Sequence, residues 1–93
     1  MDIKHTDTGN KGRFYYEVDG VEKGLMTYSH AGADKIIIDH TEVDPSLKGQ
    51  GIGYRLVEAS VNYAREQQIK ILPLCPFATA VFKKRTEYSD VLF

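Results

Sequence analysis

A chain of 93 residues, 42% of them hydrophobic and 27% charged, holds enough apolar material for one core, so a single domain over residues 1–93 is expected. Twelve basic residues against thirteen acidic ones, a formal net charge of -1, exclude the strongly basic footprint of a general nucleic-acid binder. The lone Cys75 excludes an internal disulfide framework and cannot alone build a thiolate zinc site; with no signal-like or membrane-length apolar run, the expectation is a soluble cytoplasmic protein with no metal and no membrane partner.

The first third reads as antiparallel β structure: a short strand near Ile3 to His5, then Phe14 to Val18, then Val21 to Ser29. Asp19-Gly20 joins the last two as a two-residue hairpin, because a type I′ turn needs positive φ at both positions. Ala31 to Asp34 is a further turn. Lys35 to Val43 follows, and its β-branched run predicts a central strand buried on both faces.

Asp44-Pro45-Ser46 ends that strand. Beyond a glycine-rich turn, Ile52, Leu56, Ala59 and Tyr63 recur at helical spacing, widened by Val57, Val61 and Ala64, while Arg55, Glu58, Asn62, Arg65 and Glu66 face water. Ile69 to Leu72 is a short strand reached through that helix, so the two strands lie parallel across a right-handed crossover. Pro76 suits the first position of a second helix running to about Arg85, with Phe77, Ala80, Val81 and Lys84 as its inner face. The tail from Tyr88 to Phe93 adds an edge strand or packs its aromatic rings on the sheet. The fold class is therefore α/β (α+β): a mixed, mainly antiparallel sheet with one parallel βαβ unit and two helices.

Lys48-Gly49-Gln50-Gly51-Ile52-Gly53 lies between the central strand and the long helix. Glycines at alternate positions let backbone N–H groups close around an anion at the positive end of the helix. Two nucleotide motifs fail on spacing. A Walker loop needs Lys and then Ser or Thr after its last glycine, where this chain has Tyr54 and Arg55; a dinucleotide fingerprint needs a third glycine where Tyr54 or Leu56 stands.

What survives is Lys48, Gly51 and Gly53 at a strand-to-helix junction, preceded by Val43-Asp44-Pro45 and followed by Leu56-Val57. This resembles the pyrophosphate-binding motif of the GNAT superfamily of acetyl-CoA-dependent N-acetyltransferases. Asp39-His40-Thr41 and Cys75-Pro76-Phe77 extend the resemblance to a short, single-domain bacterial subfamily, across residues 14 to 92. Lys48 stands where the superfamily usually has Arg or Gln. The resemblance implies a compact GNAT-like fold that transfers an acetyl group from acetyl-CoA to an amine, on a protein or a small molecule. It implies that Lys48, Gly49, Gln50, Gly51, Ile52, Gly53 and Tyr54 hold the pyrophosphate, with amides from Gln50 to Tyr54 as donors, and that Thr41 and Val43 run beside the pantetheine arm of CoA. Pro73 fits the splay that admits this arm, since it cannot donate to a ladder.

Acetyl transfer needs a neutral amine, donors for the developing oxyanion and a proton source for the departing thiolate. His40 is a candidate general base, because an imidazole accepts a proton near neutrality; the alternative is a histidine bonded into the sheet. Glu42, two residues on, shares its face in a regular strand and is a second carboxylate candidate. Cys75, just before Pro76, either takes the acetyl group as a nucleophile or lines the thioester pocket. Tyr88 is a candidate donor to the thiolate, and Lys83-Lys84-Arg85 could meet the adenosine 3′-phosphate, though helix-end cations are favoured by the dipole alone. The turn Thr6 to Gly12 replaces two helices that the resemblance leads one to expect, so the acceptor side should be open to an extended substrate or completed by a second subunit of a homodimer. Two rival readings stay open: a CoA-binding module without catalysis, and a binder of some other phosphate-containing ligand.

Overall fold

The computed structural model describes residues 2–93. Five strands, β1 (Lys4–Asp7), β2 (Lys11–Val18), β3 (Val21–His30), β4 (Lys35–Val43) and β5 (Lys70–Pro73), form one sheet in chain order. The first four pair antiparallel and β5 pairs parallel to β4. Helix α1 (Ile52–Gln67) makes the crossover between them and α2 (Pro76–Lys84) follows β5; short 3-10 turns occupy Pro45–Leu47 and Thr86–Val91. The expected mixed sheet, βαβ unit and two helices are all present.

The β2–β3 hairpin turns at Asp19 (φ 53) and Gly20 (φ 79), the two positive values a type I′ turn requires. The α1 helix starts at Gly51 in the left-handed region and ends at Gln68, also left-handed, whose N–H returns to the Ala64 and Arg65 carbonyls. Its buried stripe is Ile52, Gly53, Leu56, Val57, Ser60, Val61 and Ala64, with Ala59 and Tyr63 only half-buried on its flank. The fully buried Ser60 fits because its hydroxyl donates to the Val57 carbonyl at 2.6 Å, which satisfies the one polar atom it takes inside.

Three expectations need correction. First, β4 is buried on one face only: Ile36 and Ile38 are fully buried, whereas Asp39, His40 and Glu42 are exposed. Both helices pack on the same side, against the core face of Phe14, Met26, Tyr28, Ile36 and Ile38, and among the described residues no helix covers the opposite face. Second, α2 turns Ala78, Val81 and Phe82 inward, one step out of phase with the expected face. Cys75 is the reason: it is itself buried and caps the helix, its Sγ accepting the Ala78 N–H at 3.3 Å, so the face that continues from it is Ala78 and Phe82, and Phe77 looks outward. Third, the tail is mostly the Thr86–Val91 turn; it adds only one bridge, Leu92 to Ile71, and packs Tyr88 against Phe82.

Candidate active site

The turn between β4 and α1 winds tightly before the helix begins. Asp44 accepts the Ser46 N–H at 2.9 Å, Leu47 N–H reaches the Asp44 carbonyl, Lys48 N–H the Pro45 carbonyl and Gln50 N–H the Leu47 carbonyl. Gly49 (φ 84) and Gly51 (φ 76) then carry the chain through left-handed conformations, which side-chain-bearing residues adopt only at a cost. The first intrahelical bond is Arg55 N–H to the Gly51 carbonyl, and no side chain caps the helix. The N–H groups of Ile52, Gly53 and Tyr54 are therefore the orphan donors of the first turn, at the positive end of a 16-residue helix. Gln50, expected to share this role, does not: its amide is already committed.

These donors border a cleft of about 440 Å³ lined by Thr41, Val43, Leu47, Lys48, Gly49, Gly51, Ile52, Gly53, Tyr54 and Phe77. Eight of the nine expected cofactor residues line it; Gln50 faces a neighbouring recess with Tyr54, Arg55, Glu58, Arg85 and Tyr88. Leu47 and Phe77 escaped the sequence reading. Phe77 is expected on the inner face of α2, and its outward position follows from the capping role of Cys75. Its ring lies so close to the Gly53 backbone that a Cβ there would sit 2.5 Å from it, so Gly53 serves helix-to-helix approach as well as the turn.

The β4 strand controls which groups meet. Pairing with β3 is regular from His30↔Ile36 to Tyr28↔Ile38, then skips one residue so that Thr27 pairs with His40. Asp39 is the extra residue of this β-bulge. Were Asp39 paired in a regular ladder, Ile38 and His40 would share a face; because the bulge leaves it out, His40 and Glu42 emerge on the helix-free face while Thr41 and Val43 turn toward the helices. His40 Nε2 and Glu42 Oε2 lie 3.4 Å apart, both well exposed. On the other side, Thr41 Oγ1 lies 3.2 Å from Cys75 Sγ. The structure thus pairs His40 with Glu42 and Cys75 with Thr41, on opposite faces of one strand.

Pairing of β4 with β5 ends at Ile38↔Pro73. The Leu74 and Cys75 N–H groups both converge on the Ile38 carbonyl, at 2.9 and 3.3 Å, and the chain then leaves the sheet. Asp39 to Val43 consequently have a strand neighbour on one side only, and the expected splay lies beside Thr41. Tyr88 lies outside this splay: its hydroxyl points to Glu58 Oε2 at 3.5 Å, and burial together with the Glu58 charge raises its pKa. Of the three expected cations, Lys84 and Arg85 sit over the Tyr54 ring, 6.0 and 5.3 Å from its centroid.

A parallel pair splayed at its end, with orphan amides at the helix that follows, defines the acetyl-CoA-dependent acyltransferase class of fold, and residues 13–91 match the family model for the GCN5-related N-acetyl-transferases. The chain belongs to that family. It is similar to a GCN5-like protein from Staphylococcus aureus solved by NMR, at 36% identity and a TM-score of 0.75, over 99% of this chain and 87% of that one. A protein from Clostridium acetobutylicum described as a predicted acetyltransferase, solved with acetyl-CoA, shares the fold at a TM-score of 0.65 and 21% identity, over 80% of this chain and 55% of that one. Protein NATD1 of Xenopus tropicalis is 26% identical over 54 residues, which is 58% of this chain and 50% of that protein. The match spans half the length of that curated relative.

Proposed function

We propose that this GCN5-related N-acetyltransferase works as one domain that moves the acetyl group of acetyl-CoA to an amine, with the two reactants approaching β4 from opposite faces. The observation that carries the reading is the bulge at Asp39, which sends the Thr41 and Cys75 side to the cleft and the His40–Glu42 pair to the open face.

The residues fit the cosubstrate. The orphan N–H groups of Ile52, Gly53 and Tyr54 suit a pyrophosphate, with Lys48 adding a cation at the rim. Thr41 and Val43, on the stretch of β4 that β5 leaves without a partner, suit the pantetheine amides. When bound, acetyl-CoA supplies an acyl carbon activated as a thioester. His40 takes the proton that the attacking amine loses as the C–N bond forms and the C–S bond breaks, and Glu42 steadies the resulting imidazolium at 3.4 Å. The sulfur leaves with its electron pair and is protonated from solvent. We assign Cys75 to the pocket wall: it is buried, its Sγ already accepts the Ala78 N–H, and it faces Thr41.

The test is a mass-spectrometric assay with acetyl-CoA over a broad panel of amines. Acetylated amine in wild type, lost by at least about 100-fold in His40→Ala, is the expected result; CoA binding without transfer to any amine would leave the non-catalytic module in its place. Cys75→Ala should keep most of the activity, and its complete loss together with an acetylated Cys75 in wild type would instead make the thiol a nucleophile.

A further inference from the structure

The face that no helix covers carries a groove of about 310 Å³, lined by Thr6, Thr8, Lys11, Arg13, Thr27 and Asp39 among others. Its floor follows the sheet register: Thr6 pairs with Arg13, Arg13 with Thr27, and Thr27 with His40. The groove therefore starts at Asp39, the chain neighbour of the candidate general base His40, and crosses β3 to reach β2 and β1. At about 4.8 Å per strand, β4 and β2 are roughly 10 Å apart.

The two ends differ in charge. At the β4 end stands the Asp39 carboxylate, which accepts from the Thr27 and Ser29 hydroxyls and keeps lone pairs for a further donor. At the far end stands Lys11, exposed and in no ion pair among the described residues. Arg13, though closer, is committed: it pairs with Glu22 and lies over the Tyr15 ring at 4.4 Å. Thr27 on β3 lies on the path between them, and Thr6 on β1 and Thr8 in the turn after it line the groove beyond β2. A carboxylate beside the base and an uncommitted ammonium two strands away complement a molecule with an amine at one end and a carboxylate at the other.

We infer that this groove is the acceptor seat, and that the acceptor is a small zwitterion whose amine and carboxylate lie several ångströms apart, a dipeptide or an ω-amino acid. At about 3.5 Å per residue a dipeptide spans most of the distance. Its ammonium is drawn to Asp39 and, once deprotonated by His40, attacks the acyl carbon; its carboxylate is held by Lys11. The inference rests on the acetyl-transfer reading above, and extends it from amines in general to one class.

The experiment compares dipeptides and ω-amino acids with their C-terminally amidated forms as acceptors, in wild type and in Lys11→Met. In wild type, amidation is expected to raise KM about tenfold with kcat nearly unchanged; in Lys11→Met the two forms should differ by less than about twofold, because the partner of the carboxylate is gone. Equal KM for acid and amide in wild type, an unchanged preference in Lys11→Met, or acetylation confined to lysines of folded proteins would each overturn the proposal. A second measurement separates it from failure of the transfer reading. With CoA saturating, the acid but not the amide should shift the amide NMR signals of Thr6, Thr8, Lys11 and Thr27; such shifts without turnover would reject catalysis and keep the groove as a binding site, and no shifts would reject the groove.

Discussion

The two ends of α1 each abut a polar corner, and the corners are built on opposite terms. At the N-terminal end, the Ile52, Gly53 and Tyr54 amides have no partner within the helix and no capping side chain. Near the C-terminal half, a network of side chains closes on the Asp7 carboxylate. Asp7 accepts from the Tyr28 hydroxyl at 2.6 Å, from His30 Nε2 at 2.7 Å, from the Gly9 N–H at 2.6 Å and from the Tyr63 hydroxyl at 3.3 Å. Because Tyr28 spends its proton on Asp7, its oxygen accepts from His5 Nε2 at 2.5 Å, and His5 stacks on Phe14 with centroids 4.1 Å apart. A corner whose donors converge on one carboxylate ties β1 to the body of the protein; a corner whose donors are free is where a ligand can gain binding energy.

The sharpest way to break the tied corner around Asp7 is Gly12→Ala. The Tyr28 ring lies directly over the Gly12 backbone, leaving no room for a methyl group, and Tyr28 is only 1% exposed, so it cannot move aside freely. A loss of about 2–3 kcal/mol in urea unfolding is expected, while acetyl-CoA affinity of the folded protein should hold.

Gly51→Ala attacks the other corner. Space is open around it, but φ 76 disfavours any side chain by about 1–2 kcal/mol. Relaxation of the turn should misalign the orphan amides, so isothermal titration should show acetyl-CoA binding weakened by about tenfold, with β1 protection in hydrogen exchange unchanged.

Asp7→Asn should cost about 1 kcal/mol at neutral pH and, more tellingly, change the acid limb of stability. Hydrogen bonds from Tyr28, opposed by partial burial, then His30 and Gly9 hold the Asp7 carboxyl well below the usual carboxylate range. Burial lowers His5 likewise. Both depressed groups bind protons more readily in the unfolded chain, so stability is full above the unfolded pKa and is lost as pH falls toward the folded one. Thermal melting should therefore begin to drop below about pH 6.5 through His5 and steepen below about pH 4 through Asp7. In Asp7→Asn the second, steeper part should flatten; an identical profile would mean that the network does not contribute to folding.

The smallest expected effect is at Arg85, over Tyr54 at the recess beside the turn. If its charge meets the adenosine 3′-phosphate, Arg85→Gln should weaken CoA binding about threefold and dephospho-CoA binding hardly at all, the scale of an exposed ion pair. Equal losses for both ligands would assign Arg85 a packing role instead.

Much of this was legible in the chain itself, for reasons that differ by region. Asp19-Gly20 announced the hairpin because few other dipeptides tolerate two positive φ values, and Lys48, Gly51 and Gly53 announced the turn because backbone geometry, not a side chain, makes the site. The phase of α2 was missed because Phe77 looks like core by composition; the deciding fact, a buried cysteine capping the helix, is tertiary. The burial of β4 was overstated because a run of three isoleucines predicts two covered faces, and whether a second layer exists is decided elsewhere in the chain. The Asp7 corner was invisible because its partners are 21, 23 and 56 residues away, beyond any local pattern. Nor does Ile38-Asp39-His40 carry a glycine or proline to mark a bulge.

That unmarked residue works as a phase shifter. A strand alternates sides with strict regularity, so an extra residue exchanges the address of everything downstream unless a bulge leaves it out of the count. Deleting Asp39 would leave Ile38 opposite Tyr28 and His40 opposite Thr27 in a regular ladder, with His40 and Glu42 still on the open face; a ladder that instead kept Asp39 as a paired residue would turn both beneath the helices, push Thr41 out and interchange the two compartments.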